Sequence, residues 1–132
     1  MKATDLMIGD KVMVKVLSQI PNTYVLHTWT ANDYSMDIQV KPIPLTPEIL
    51  EKNGFERGVI IPSKFYRNID NERLIFSPHS SCYDLGYVHW NESNDPDIMH
   101  RLEVQQPIMY IHQMQHALRL FGLDELADNF NV

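Results

Sequence analysis

Apolar and polar residues alternate near the start of the chain. In Lys11-Val12-Met13-Val14-Lys15-Val16-Leu17 the three valines share one face of an extended strand, because successive side chains point to opposite sides. Gly9-Asp10 before the run and Pro21-Asn22 after it are turn signals. Residues 24–30 are rich in aromatic and β-branched side chains, which suit a pleated surface and predict a second strand. Asn32-Asp33 turns the chain again. Residues 37–43 then read as a third strand that leaves through Pro42 and Pro44. Proline has no N–H for a ladder, so that exit belongs at an edge or outside the sheet. Further short strands are expected around 59–61, 64–66, 73–76 and 85–90, with a hairpin turn over 68–71 and loops over 77–81 and 91–97.

Helical signals appear twice. Thr46 can cap free amides, Pro47 suits the first helical position and Glu48 complements the positive end of the dipole. Gly54 can take the left-handed conformation that ends a helix, with Phe55 packing back on the last turn. Later, Ile111, Met114, Leu118 and Phe121 recur at helical spacing and predict a helix over 107–121 that Gly122 stops. Residues 123–130 add one turn, with Asp124 as its cap and Leu126 and Phe130 tucked inward.

These elements predict one α+β domain over residues 1–132. N-terminal strands occupy 1–45, a helix 46–54, further strands and loops 55–106, and a C-terminal helix 107–121. The sheet is expected to be curled and antiparallel under two main helices. Ile8-Gly9-Asp10 followed by alternating valines is also how many SH3-like barrels begin, an analogy of fold and not of function.

Length supports one core, since 132 residues suffice without metal or disulfide staples. Cys82 is the single cysteine, so no internal disulfide can form, and one thiol fits a reducing compartment. An acid and a hydroxyl occupy the early residues Thr4 and Asp5, where an export signal would be apolar. No apolar run approaches the ~20 residues that cross a bilayer. A cytoplasmic protein with no membrane partner is expected. The net charge of −6 argues against general capture of nucleic acid, while a small local basic patch stays compatible with it. Residues 1–66 hold seven bases and seven acids, whereas 67–132 hold four bases and ten acids. The acids at 92, 95, 97, 124, 125 and 128 read as a solvated loop and an acidic tail. They could also form an acidic surface for a basic partner.

His112 and His116 stand four residues apart, on neighbouring turns of one helix face. Such a pair can chelate a metal, but catalytic zinc needs a third ligand and usually a general base. Gln113 stands where a zincin has its glutamate, and Gln115 lies between the two turns. His79, Cys82, His89 and His100 are further candidate ligands without diagnostic spacing. The expectation is no metal and no cofactor, with His112 hydrogen-bonded to backbone where helix meets sheet and His116 wetter. Neither a nucleophile elbow nor a phosphate-cradling glycine loop is present, and no catalytic residue is assigned. Trp29, Trp90 and several tyrosines suit a sheet core with polar tips, or a stacking or peptide-binding surface.

Several stretches also carry a resemblance. Ile8-Gly9-Asp10, Lys41-Pro42-Ile43-Pro44-Leu45-Thr46, Ile49-Leu50, Asn53-Gly54-Phe55 and Ile111-His112-Gln113-Met114-Gln115-His116 are similar to segments of uncharacterised short proteins common in gut anaerobes, their phages and mobile elements. The group usually has leucine where this chain has Met114 and asparagine where it has His116. The resemblance carries no catalytic role. The function expected first is that of a non-enzymatic binding or accessory protein of phage or mobile-element origin with a protein partner, for example a host protein bound to blunt a defence system. The candidate binding residues are His112, Gln113, Gln115, His116, Trp29 and Trp90. The alternative is a small metal- or ligand-dependent enzyme built on His112 and His116.

Overall fold

The alternating valines form the strand that their spacing predicts. In the computed structural model, residues 5–17, 23–35, 38–58, 64–69, 72–79, 82–89, 100–103 and 108–132 are described. The strands are β1 (Lys11–Val16), β2 (Val25–Thr28), β3 (Ile38–Lys41), β4 (Glu56–Arg57), β5 (Phe65–Ile69), β6 (Glu72–His79), β7 (Cys82–His89) and β8 (His100–Glu103). The helices are α1 (Pro47–Lys52), α2 (Ile111–Leu120) and α3 (Asp124–Asp128), and Ala31–Ser35 forms a 3₁₀ segment. The fold is α+β with antiparallel sheets, and the chain gathers into two compact units.

The first unit takes in residues 1–45 and 110–130, with Val132. Its sheet has the order β2-β1-β3, antiparallel throughout. Val12 and Val14 are buried with Leu6 and Trp29, and Ile38 and Val40 pack against that cluster. Helix α2 buries Ile111, Met114, Ala117 and Leu118, close to the predicted stripe, although Phe121 is only half-buried. Its first turn differs from expectation. Ile108 and Tyr110 are extended bridge residues, and the helix starts at Ile111. The Tyr110 amide donates to Gln113 Oε1 at 3.1 Å, which satisfies one of the donors left over at the helix start. In α3, Leu123 occupies the cap position and Asp124 and Glu125 fill the first turn, where acids suit the dipole. Phe130 is buried as expected.

The second unit takes in residues 46–109 and Asn131. Thr46 Oγ1 accepts from the Ile49 amide at 3.3 Å, Pro47 opens α1, and Gly54 has φ 82°. The sheet order is β4-β5-β6-β7-β8. Phe65, Phe76 and Leu85 lie in one cross-strand row, all buried, with Phe55 edge-on to Phe76 and Tyr83 stacked on it at 4.5 Å. β6 runs to His79 because residues 77–79 pair with 82–84, so the part of the expected 77–81 loop that is described is strand. Neither sheet is closed into a barrel among the described residues, so the SH3-like analogy ends at the opening strand. The expected strand at 59–61 and loop at 91–97 lie outside the described residues.

Candidate functional site

The turn before β1 and the polar side of α2 meet through one carboxylate. Asp10 is fully buried. Its Oδ2 accepts from the Met7 amide at 2.8 Å and from His116 Nε2 at 2.6 Å, and its Oδ1 accepts from Arg119 Nη1 at 2.7 Å. Burial alone would raise the Asp10 pKa. The hydrogen bonds from His116, Met7 and Arg119 outweigh it and hold the carboxyl below its ordinary range. Arg119 continues to Asp128 at 3.4 Å. Gly9, at φ 96°, makes room for that guanidinium: a Cβ there would lie 2.9 Å from Arg119 Nη2.

Gln115 fastens the same junction. Its Oε1 accepts from the Lys11 amide at 2.8 Å, while its Nε2 donates to Gly9 O at 3.0 Å and Ala127 O at 2.9 Å. The side chain is fully buried and its polar atoms are used within the unit. His112 is 6% exposed, with its ring nearly parallel to Tyr110 at 6.0 Å. Its buried Nδ1 has no partner, so the expected backbone bond is not made there; the ring stacks instead. Burial, and then the neighbouring His116, push the His112 pKa down, against a smaller upward pull from Asp10. The two imidazoles stand 5.7 Å apart at 80°. His116 is the wetter of the two, with 27% of its side chain exposed.

A second buried carboxylate shows the same design. Asp33 Oδ2 accepts from His27 Nε2 at 2.7 Å, the Thr30 amide at 2.6 Å and Thr30 Oγ1 at 2.8 Å. Burial opposes its ionisation, and these bonds hold its pKa below the usual carboxylate range. Trp29 is buried between these neighbours, edge-on to Tyr34 at 5.4 Å and to His27 at 6.5 Å. It is therefore part of the core and does not present a stacking face. Trp90 lies outside the described residues, as do the side chains of His79, Cys82, His89 and His100. Among the described residues, no group of three or more His, Cys, Asp or Glu could hold a metal ion. The structure brings together His112, Gln113, Gln115 and His116 on α2, with Gln113 Oε1, both polar atoms of Gln115 and His116 Nε2 bonded within the unit.

The open surface of this unit lies on the other side of its sheet. Met13 faces Leu26 and Lys41 across the ladders, Lys15 faces Gln39 and Lys11 faces Thr28, so these side chains share the side opposite Val12 and Val14. Lys11 Nζ donates to Thr28 Oγ1 at 2.7 Å. Tyr24 reaches Gln39 through its hydroxyl at 3.4 Å, with the Lys15 and Lys41 ammonium groups 5.1 and 5.7 Å from its ring centre. β2 and β3 are the outer strands of this sheet, and Tyr24, Val25 and Leu26, just before and in β2, are 38%, 54% and 53% exposed. In the sequence Lys11 and Lys15 are only the polar half of an alternation. Their grouping with Lys41 depends on register.

In the second unit, a cleft of about 340 Å³ is lined by Gly54, Arg57, Tyr66, Asn68 and Arg73, among others. Its arginines are engaged: Arg57 pairs with Glu51 at 2.6 Å, and Arg73 lies over Tyr66 and donates to Asn68 at 2.8 Å. No protein-family model matches the chain, and no curated protein or solved structure matches it.

Proposed function

We propose that the chain is a non-enzymatic binding protein that takes a protein partner on its three-stranded sheet, in an accessory role on a phage or mobile element. The observation that carries this reading is the apolar edge strand. An exposed edge presents unpaired N–H and C=O groups to any passing strand, and proteins usually blunt such edges with charge, proline or a cover. β2 has no charged residue at its exposed positions: Val25 and Leu26 are both more than half exposed, and Tyr24 precedes them. A partner segment that pairs with this edge gains backbone hydrogen bonds for affinity and alternate side-chain contacts for specificity.

The histidine face of α2 has a different role in this reading. His116 and Arg119 hydrogen-bond Asp10, and Gln115 ties three backbone groups, so the face holds the turn that leads into β1. The test uses wild-type and Leu26→Gln protein as baits in extract of the native cell. Leu26 is exposed, so the variant should fold and melt as the wild type does. Proteins retained by the wild type should be lost with the variant. An unchanged set of retained proteins would overturn the assignment of the sheet as the docking surface.

A further inference from the structure

We infer that the partner segment on β2 is acidic and extended, adding as a fourth strand whose carboxylates are held by Lys11, Lys15 and Lys41; this rests on the reading of the sheet as the docking surface. The chain carries a net charge of −6, yet the outer side of this sheet holds three lysines and no acidic residue on its three strands. None of the three ammonium groups is ion-paired with a carboxylate among the described residues. Lys11 bonds the Thr28 hydroxyl, and Lys15 and Lys41 both lie against the ring of Tyr24. Two like charges against one ring repel each other, and a carboxylate arriving between them would relieve that repulsion. The attraction of a cation to a ring face is modest where water competes, so these contacts position the lysines without using up their charge.

The edge decides which acidic partner fits. Among the described residues β2 pairs with β1 alone, so a peptide backbone matches its outer groups along its length, and a nucleic acid does not. Strand addition also places alternate partner residues beside Leu26 and Thr28, on the lysine side, at the usual strand spacing of about 4.8 Å. Apolar partner residues would then lie against Val25 on the opposite side. A single-stranded nucleic acid would need a series of aromatic platforms. Among the described residues this sheet side offers Tyr24 alone, with two lysines already against its ring. Long-range repulsion from the net acidic chain also disfavours a polyanion more than a short acidic segment.

The test is fluorescence anisotropy of full-length protein with labelled probes: a short peptide alternating Glu and Val, the same peptide with Gln or Lys for Glu, and oligo(dT). The Glu-Val peptide should bind best and weaken as salt rises. The double variant Lys15→Glu, Lys41→Glu should weaken it about tenfold or more, with an unchanged melting temperature. Equal or tighter binding of the Lys peptide, or a Kd unmoved by the charge reversal, would overturn the inference. Tighter binding of oligo(dT) would replace it with a nucleic-acid partner. If the Gln peptide binds as well as the Glu peptide and Leu26→Gln abolishes both, the docking surface stands and its acidic preference falls. If no peptide binds, both fall.

Discussion

Replacing Asp10 by asparagine removes one charge from a fully buried carboxylate with three donors around it. The amide keeps one acceptor oxygen but turns an NH₂ toward a donor, so one of the contacts from Met7, His116 or Arg119 fails. Hydrogen bonds to charged groups contribute ~1.5–3 kcal/mol each, and breaking a buried ion pair from one side costs ~3–5 kcal/mol. His116 and Arg119 keep some access to water, with side chains 27% and 13% exposed, which lowers the figure. A destabilisation of ~2–4 kcal/mol at pH 7 is expected. The pH dependence follows from the depressed pKa of Asp10. A carboxyl held below its unfolded value, ~3.9, contributes stability that is present above that value and is lost as pH falls through the folded one. The gap between wild type and Asp10→Asn should therefore be full at pH 7 and shrink only below about pH 4. Urea melts in a Trp90→Phe background read this directly, because Trp29 then reports alone on the first unit. A gap under ~0.5 kcal/mol at pH 7 would mean that Asp10 does not anchor the turn, since surface substitutions change stability by that little. So would a gap that does not narrow below pH 4.

Three further outcomes follow from the same packing. Gln115→Ala leaves the Lys11 amide and the Gly9 and Ala127 carbonyls without their buried partner, and should cost ~2–4 kcal/mol in urea melts. Leu118→Ala truncates a fully buried side chain and should cost ~2–5 kcal/mol; a change within ~0.5 kcal/mol would mean that the face is not packed. His112 has a depressed pKa, so its neutral form contributes stability above the unfolded value of ~6.5 that declines as pH drops toward the folded value. NMR titration of the ring should show a midpoint below ~6.5, and His112→Phe should narrow the stability loss between pH 7 and 5.

What the sequence shows and what it hides divide by range. Helix α1 is legible because its signals are local: Thr46 caps, Pro47 starts and Gly54 ends it within nine residues. Val12 and Val14 are legible because a period of two needs no partner. Asp10 reads only as half of a turn signal, because its meaning lies in His116 and Arg119, 106 and 109 residues away. Gln115 looks like one polar residue among several, whereas its side chain ties three backbone groups. Trp29 is open in the sequence for a different reason. An aromatic in a strand-like stretch suits a surface or a core equally, and only the fold puts it inside. Residues 108–110 look helical by continuity with α2. The Ile108 amide and carbonyl instead both bond Tyr83, at 2.9 and 3.0 Å, and the extended backbone that this bridge needs keeps Ile108 out of the helix. The lysine grouping was half visible, since Lys11 and Lys15 sit two apart in the alternation. Lys41 joins them only through the β1–β3 register.

Amide hydrogen exchange of the full-length protein, with and without the Glu-Val peptide, tests the docking surface most directly. The amides of Val25 to Thr28 that point away from β1 are the ones a fourth strand would bond. They should exchange fast in the free protein and slow severalfold when the peptide is present, while those of α2 stay unchanged. Peptide binding with β2 exchange unchanged, or with protection confined to α2 or to the cleft beside Tyr66, would contradict the assignment.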